Sequence, residues 1–351
     1  MSQFHKLSVK EVKQITPNAV TISFEIPENL KSEFQFVAGQ YITIKKEIDG
    51  KELRRDYSIC SAPNSGEIKV GVKKVEGGSF SNYANTQLKA GDILDVHTPN
   101  GRFTLKPDSS KSRNVAAFVA GSGITPVMSI MQAVLENEPN SNFVLVYGNK
   151  SVGETMFNDE ILQLISKYEN RLMVYFIYSK EQEGNSLFGR IERSTVNFVL
   201  KNKHKDLIFD AFYLCGPEAM INSVSETLQE TGVDKKTIHF ELFTSSSPVE
   251  NPSVSVPDGK TKIKIMLDDD EVDFVMDKKQ LILDFALSQK LDAPYSCQGG
   301  ICSSCIARVK EGKVEMVKNQ ILTDSELEEG LILTCQSHPV TDTVYIDYDD
   351  V

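Results

Sequence analysis

Basic charge is scarce in this sequence. Lys and Arg number 38 against 49 Asp and Glu, a formal charge of −11 over 351 residues. That balance argues against a nucleic-acid scaffold, because phosphate binding calls for an excess of Lys and Arg. Cysteine is scarce too: six in this length are too few for a disulfide framework. The start, MSQFHKLSVKEVKQ, has no apolar signal core. The uncharged stretch 114–135 has the length of a membrane span, about 20 residues. It holds Gly121, Ser122, Gly123, Thr125, Pro126, Ser129 and Gln132, so no span is expected. A cytoplasmic chain follows as the expectation, with clustered cysteines that hold metal or do redox work.

What is present fits two or three globular domains. Hydrophobic residues make up 40% and charged residues 25%, at a length that allows about 100–200 residues per domain. Charge and cysteine are uneven. Residues 260–351 carry ten basic and eighteen acidic side chains, a net of −8, and four of the six cysteines. Just ahead lies TSSSPVENPSVSVPDG, 244–259, whose prolines and serines have linker composition. The limits expected are therefore 1–107, 108–243, a linker over 244–259, and 260–351.

The first hundred residues read as strands. Val20, Ile22, Phe24 and Ile26 alternate with polar residues, as do Ile68, Val70 and Val72, and Asp49-Gly50 suits a tight hairpin. Short strands with turn signals point to a small antiparallel barrel. From about residue 112 the rhythm changes to apolar runs (NVAAFVA, NFVLVYG, LMVYFIYS, AFYLCG) alternating with helical patterns. That is the pattern of a doubly wound parallel sheet. In the last third TKIKIML alternates as a strand and DDDE, 268–271, reads as a hairpin tip without the spacing of a calcium loop. Asp277 is a candidate cap for a helix that carries Leu281, Ile282, Phe285 and Ala286.

The cysteine spacing is specific. Cys297-x4-Cys302-x2-Cys305, then 29 residues, then Cys335, is the plant-type spacing for a [2Fe–2S] cluster. Three thiolates come from one loop, where Gly299 and Gly300 permit sharp backbone angles and small Ser303 and Ser304 let N–H groups approach sulfur. Structural zinc is the weaker reading, since only one short C-x2-C pair occurs. Cys60 and Cys215 read as buried small side chains. GSGITP, 121–126, follows a buried strand and opens a helix, a suitable pyrophosphate seat, with a generic strand–helix turn as the alternative. RDYS, 55–58, ends a strand, and GGSFS, 77–81, opens a short helix. The five histidines, His5, His97, His204, His239 and His338, are isolated, and no acid–base or nucleophile set is expected.

The order RDYS, GGSFS, GSGITP, YGNK (147–150) and CGP (215–217), followed by the cysteine pattern, resembles the single-chain flavin/iron–sulfur reductases of the ferredoxin–NADP⁺ reductase superfamily. The resemblance covers the whole chain. It implies a FAD-binding β-barrel, an NAD(P)H-binding α/β domain and a β-grasp ferredoxin domain. It implies that Arg55 contacts the FAD pyrophosphate, Tyr57 lies along the flavin and Ser58 sits near its N5. Gly77, Gly78, Ser79 and Ser81 would hold phosphate. Gly121, Gly123, Thr125 and Pro126 would shape the nicotinamide-nucleotide site, and Cys215, Gly216 and Pro217 would border the nicotinamide. Glu241-Leu242-Phe243 resembles a terminal Glu-x-Phe, with Phe243 facing the flavin. Tyr57, Ser58, Cys215 and Phe243 are thus the expected reaction-centre residues.

Ser179 and Lys180 occupy the positions that discriminate the nucleotide in the family. Lys180 replaces the usual Arg, and NADPH is expected over NADH. The cysteines Cys297, Cys302, Cys305 and Cys335 would hold the cluster. Electrons would pass from NADPH to FAD, to [2Fe–2S], and on to an oxygenase or other acceptor protein complex. RDYSIC, VEGGSFSNYA and PNGRF (99–103) are similar to stretches of the reductases that serve phenylacetyl-CoA epoxidases, and that resemblance implies such an oxygenase as the acceptor. A ring-hydroxylating dioxygenase, a desaturase or a hybrid-cluster protein is the alternative, and a non-catalytic carrier or sensor a second one. The acidic last third reads either as a docking face or as the ordinary acidity of a soluble ferredoxin fold.

Overall fold

The structure is a computed structural model and describes residues 4–243 and 256–351. Most of the expected linker, 244–255, lies outside the described residues. The chain divides into two compact units, one on each side of that stretch.

In the first unit, β1 (Phe4–Thr16), β2 (Ala19–Glu25), β3 (Tyr41–Ile48), β4 (Lys51–Ser58), β5 (Ile68–Lys73) and β6 (Ile93–His97) pair antiparallel in the order β4-β3-β6-β1-β2-β5. A bridge between Ile59 and Val70 joins the two edges and closes the barrel. Leu7, Ile22, Ile42, Ile44, Val70 and Val96 fill it without exposure. Asp49 and Gly50 both take positive φ, 52° and 72°, as the β3–β4 hairpin requires. Helix α1 (Ser79–Thr86) lies against the barrel.

A six-stranded parallel sheet follows: β7 (Asn114–Ala120), β8 (Asn142–Asn149), β9 (Leu172–Tyr178), β10 (Leu187–Phe188), β11 (Ala211–Gly216) and β12 (Ile238–Leu242). Its order, β10-β9-β8-β7-β11-β12, reverses direction at β7. The crevice beyond the carboxyl ends of β7 and β11 is therefore the place where such a sheet binds ligands. Helices α2 (Ile124–Asn137), α3 (Asn158–Lys167), α4 (Arg193–Asn197) and α5 (Glu218–Glu230) connect the strands. The uncharged stretch 114–135 turns out to be β7 plus α2, both buried in the protein core. Among the described residues no helix is long and apolar enough to cross a membrane.

Barrel and sheet pack as one unit. A Cβ on Gly71 of β5 would lie 2.8 Å from Thr125 Cγ2. Tyr213 donates to the Thr104 carbonyl at 3.0 Å, and Gln132 to that of Cys60 at 3.1 Å. Glu138 is fully buried, and its carboxylate accepts from Arg113, from Ser141 Oγ and from the Asp108 N–H.

The second unit holds β13 (Lys260–Leu267), β14 (Asp270–Asp277), α6 (Ile282–Ser288), β15 (Ile306–Glu311), β16 (Val314–Met316), α7 (Asp324–Glu328), β17 (Leu331–Leu333), β18 (Ser337–Pro339) and β19 (Thr343–Asp347). The sheet order is β14-β13-β19-β15-β17, with β13 and β19 parallel and α6 packed on the core, a β-grasp. The expected cap is corrected: Leu281 is the N-cap of α6, while the Asp277 carboxylate accepts from the Lys279 N–H in the preceding turn.

Candidate functional site

The end of β4 carries the first part of the site. Alternation along the strand buries Arg54, held by Glu52 at 3.0 Å, and leaves Arg55 exposed, one of its Nη groups donating to the Arg54 carbonyl. Thr43 donates to the Asp56 carboxylate at 2.7 Å. The Tyr57 ring lies 5.5 Å from that of Phe80, and burial raises its hydroxyl well above the ordinary range, so it stays protonated. Ser58, 4% exposed, donates to Glu241 Oε2 at 3.3 Å across the barrel–sheet junction.

Glu241 sits at the end of β12 in register with Cys215 of β11. Burial pushes its carboxyl up to about 8; the Ser58 hydroxyl opposes the shift and the charge on Asp56 adds to it. The Cys215 thiol is fully buried and also raised, by burial first and by Glu241 second. Two neutral groups and a serine hydroxyl thus meet where barrel and sheet join.

Close backbone approach builds the adjoining turn. A Cβ on Gly123 would fall 2.2 Å from the Cys215 carbonyl oxygen, and one on Gly216 would lie 2.8 Å from Met220 Cε. Gly121 has φ +56°, the left-handed region that glycine accepts freely. Beyond these turns opens a cleft of about 790 Å³, lined by Gly121–Gly123, Asn149, Ser179, Arg190, Gly216 and Phe243 among others. It lies at the reversal of strand order. Thr125 and Pro126 are buried in the first turn of α2 beneath it.

Ser179 lines this cleft but Lys180 does not. Lys180 is exposed, and its N–H donates to the Lys150 carbonyl. Arg190 stands on the cleft wall instead, because β10 pairs with β9 and returns the chain beside Ser179. Lys73, from the end of β5, also reaches the cleft, 4.0 Å from Glu154, with its ammonium lowered by burial. The motifs did not reveal Arg190 or Lys73. The Gly189-Arg190 pair was the available signal for the first, and the second had none.

Residues for a FAD pyrophosphate are present. Helix α1 starts without a side-chain cap after Gly77 (φ +71°) and Gly78, so its first-turn N–H groups suit an anion. Exposed Arg55 supplies a matching cation. Ser81 Oγ is the acceptor of the Val75 N–H and builds the turn itself.

The second unit gathers the four clustered cysteines. Cys297 and Cys302 place their sulfurs 3.1 Å apart, and Cys335 is in hydrogen-bonding contact with both Cys297 and Cys305. The Gly299 N–H donates to the Cys297 sulfur at 3.3 Å, and the hydrogen-bonding contact between Cys297 and Cys335 pushes the first thiol down and the second up. Such a donor set fits thiolate ligation. The left-handed residues of this loop are Gln298 (φ 51°) and Gly300 (φ 72°), so Gln298 takes the angle expected of Gly299. Among the described residues no three His, Cys, Asp or Glu surround one point as a single ion requires. The four clustered thiols are the residues that would hold a [2Fe–2S] cluster.

Comparison with known proteins agrees with each module. Residues 6–105 match the oxidoreductase FAD-binding domain, 118–226 the oxidoreductase NAD-binding domain, and 265–340 the 2Fe-2S iron-sulfur cluster binding domain. The chain is 38% identical to one of the subunits of the 1,2-phenylacetyl-CoA epoxidase of Escherichia coli (strain K12), over 99% of both chains. It is 32% identical to the ferredoxin reductase component of 3-ketosteroid-9-alpha-monooxygenase of Rhodococcus rhodochrous, over 97% of this chain and 96% of that one. Phthalate dioxygenase reductase shares the fold over 98% of both chains, with a TM-score of 0.61 at 19% identity. The chain belongs to the ferredoxin–NADP⁺ reductase superfamily, as an NAD(P)H-dependent flavin/[2Fe–2S] oxidoreductase with its three cofactor modules in one polypeptide.

Proposed function

We propose that this chain draws electrons from NADPH and delivers them to the oxygenase of a phenylacetyl-CoA epoxidase system in the cytoplasm. One observation carries the reductase reading: Ser58 donates to Glu241, Glu241 stands in register with Cys215, and the next residue, Gly216, lines a cleft of about 790 Å³ at the strand-order reversal, while the 38% identity to an epoxidase subunit supports the choice of partner. When bound, FAD takes a hydride and gives single electrons, and the cluster carries them one at a time.

The chain's own residues bind and orient. Arg55, Gly77, Gly78, Ser79 and Ser81 seat the FAD pyrophosphate, the last by holding the turn. Tyr57 and Phe243 would pack against its ring system. Gly121, Gly123, Thr125 and Pro126 form the nucleotide turn, with Gly216 and Pro217 opposite. Ser58 holds the protonated Glu241 carboxyl, and Cys215 closes the centre from below as a neutral thiol, which keeps negative charge away from it. Ser179 and Arg190 take the 2′-phosphate. The Arg fork is better matched to it than the exposed Lys180, which stays at the rim as a point charge. Cys297, Cys302, Cys305 and Cys335 ligate the cluster. The domain limits remain 1–107, 108–243 and 260–351, with 244–259 as linker.

The test is anaerobic NADPH titration followed by reconstitution. NADPH should bleach flavin absorbance in the 450-nm region. Purified epoxidase oxygenase with phenylacetyl-CoA should then accelerate NADPH oxidation. Acceleration by a ring-hydroxylating dioxygenase, a desaturase or a hybrid-cluster protein alone would reassign the partner. Failure to bleach would refute turnover itself and leave the carrier or sensor reading.

A further inference from the structure

Gln336 directly follows the fourth cysteine. Its side-chain amide donates to the Gln298 carbonyl at 3.1 Å and to the Cys335 carbonyl at 2.8 Å, and the same nitrogen lies 3.8 Å from the Cys335 sulfur. Two carbonyl acceptors fix which end of the amide is nitrogen. Gln298 is a non-glycine residue in the left-handed region, inside the loop of three cysteines. Its carbonyl is held by this amide. Gly300 completes the contact, since a Cβ there would lie 3.0 Å from Gln336 Cγ and from the Lys318 carbonyl. Gln336 also bonds through its backbone, its carbonyl accepting from the Val317 N–H at 2.8 Å. One side chain therefore ties the three-cysteine loop to the segment that bears the fourth cysteine.

We propose that Gln336 is a positioning residue for the cluster, and that the amide N–H it gives the Cys335 carbonyl is shared with the Cys335 sulfur, stabilises that thiolate most in the reduced state and so raises the reduction potential. Reduction adds negative charge that the sulfurs share, and a donor aimed at sulfur favours the more negative form. The inference rests on the [2Fe–2S] assignment of this unit.

Gln336→Met keeps length and volume but removes both donors. In the full-length holoprotein, EPR-monitored titration should give a more negative midpoint, with the flavin midpoint as internal reference. At the potential that half-reduces the wild-type cluster, the reduced-to-oxidised ratio should fall at least threefold. An intact cluster signal with an unchanged ratio would overturn the proposal, because a mere spacer is replaced by Met. If Gln336→Met loses its cluster, wild-type protein with ¹⁵N in the glutamine side-chain amides decides. A ¹⁵N coupling to the reduced cluster supports the contact, and its absence overturns it. Absence of any reduced-cluster signal in the wild type would instead sink the cluster assignment.

Discussion

Replacing Glu241 by Gln should stabilise the first unit in a pH-dependent way. The carboxyl titrates at about 8 in the folded protein against an ordinary 4.5. An acid whose folded value is raised contributes full stability below its unfolded value and loses it as pH climbs through the folded one. Each pH unit inside that window costs the native state roughly 1.4 kcal/mol. From 4.5 to pH 7 the loss comes to roughly 3 kcal/mol, and because part of the residue remains accessible we discount it to about 2 kcal/mol. Gln cannot ionise, and its amide oxygen still accepts from Ser58. Glu241→Gln should therefore match the wild type near pH 5, apart from a constant offset, and pull ahead toward pH 8. At roughly 2–4 °C per kcal/mol, the gain at pH 7 is about 4–8 °C. Flavin release on heating, followed by fluorescence at pH 5, 6, 7 and 8, reports on the unit that contains Glu241. A gap between the two proteins that does not change with pH would show that the carboxyl is not held protonated, and the argument from burial would fail.

Other outcomes follow from the same geometry. Arg190→Ala should raise KM for NADPH about tenfold, the size of one charge-assisted hydrogen bond, while KM for NADH stays put; Lys180→Ala should move the NADPH value far less. Steady-state kinetics with both nucleotides would show an equal loss for each if Arg190 is only structural. Cys302→Ser should abolish transfer to one-electron protein acceptors and spare NADPH-dependent ferricyanide reduction at the flavin. Gly123→Ala sets a Cβ 2.2 Å from the Cys215 carbonyl, so backbone must shift at a cost of about 1–3 kcal/mol. NADP⁺ affinity by calorimetry should fall, and an unchanged affinity would mean that the turn does not shape the nucleotide site.

Strands and helices were readable where the pattern was local. The Asp49-Gly50 hairpin, the DDDE tip and the buried runs of the parallel sheet lie where periodicity and turn residues indicate. Asp277 does not cap α6 because a capping signal five residues ahead of a helix equally suits the turn before it. Gly299 was misread because three consecutive residues of the cluster loop could each have taken the sharp angle, and the fold used Gln298 and Gly300.

The sequence by itself determined the cysteine spacing, the glycine turns and the order of the three modules, since these rest on bonded distances and on short-range backbone preferences. Tertiary structure decided who meets whom. It joined Ser58 to Glu241 across 183 residues and Gln336 to Gln298 across 38. It also set Arg190, not Lys180, on the wall of the cleft. The physical reason is that periodicity tells which face of a strand is buried, whereas strand order and the packing of barrel on sheet choose the neighbour at each strand end.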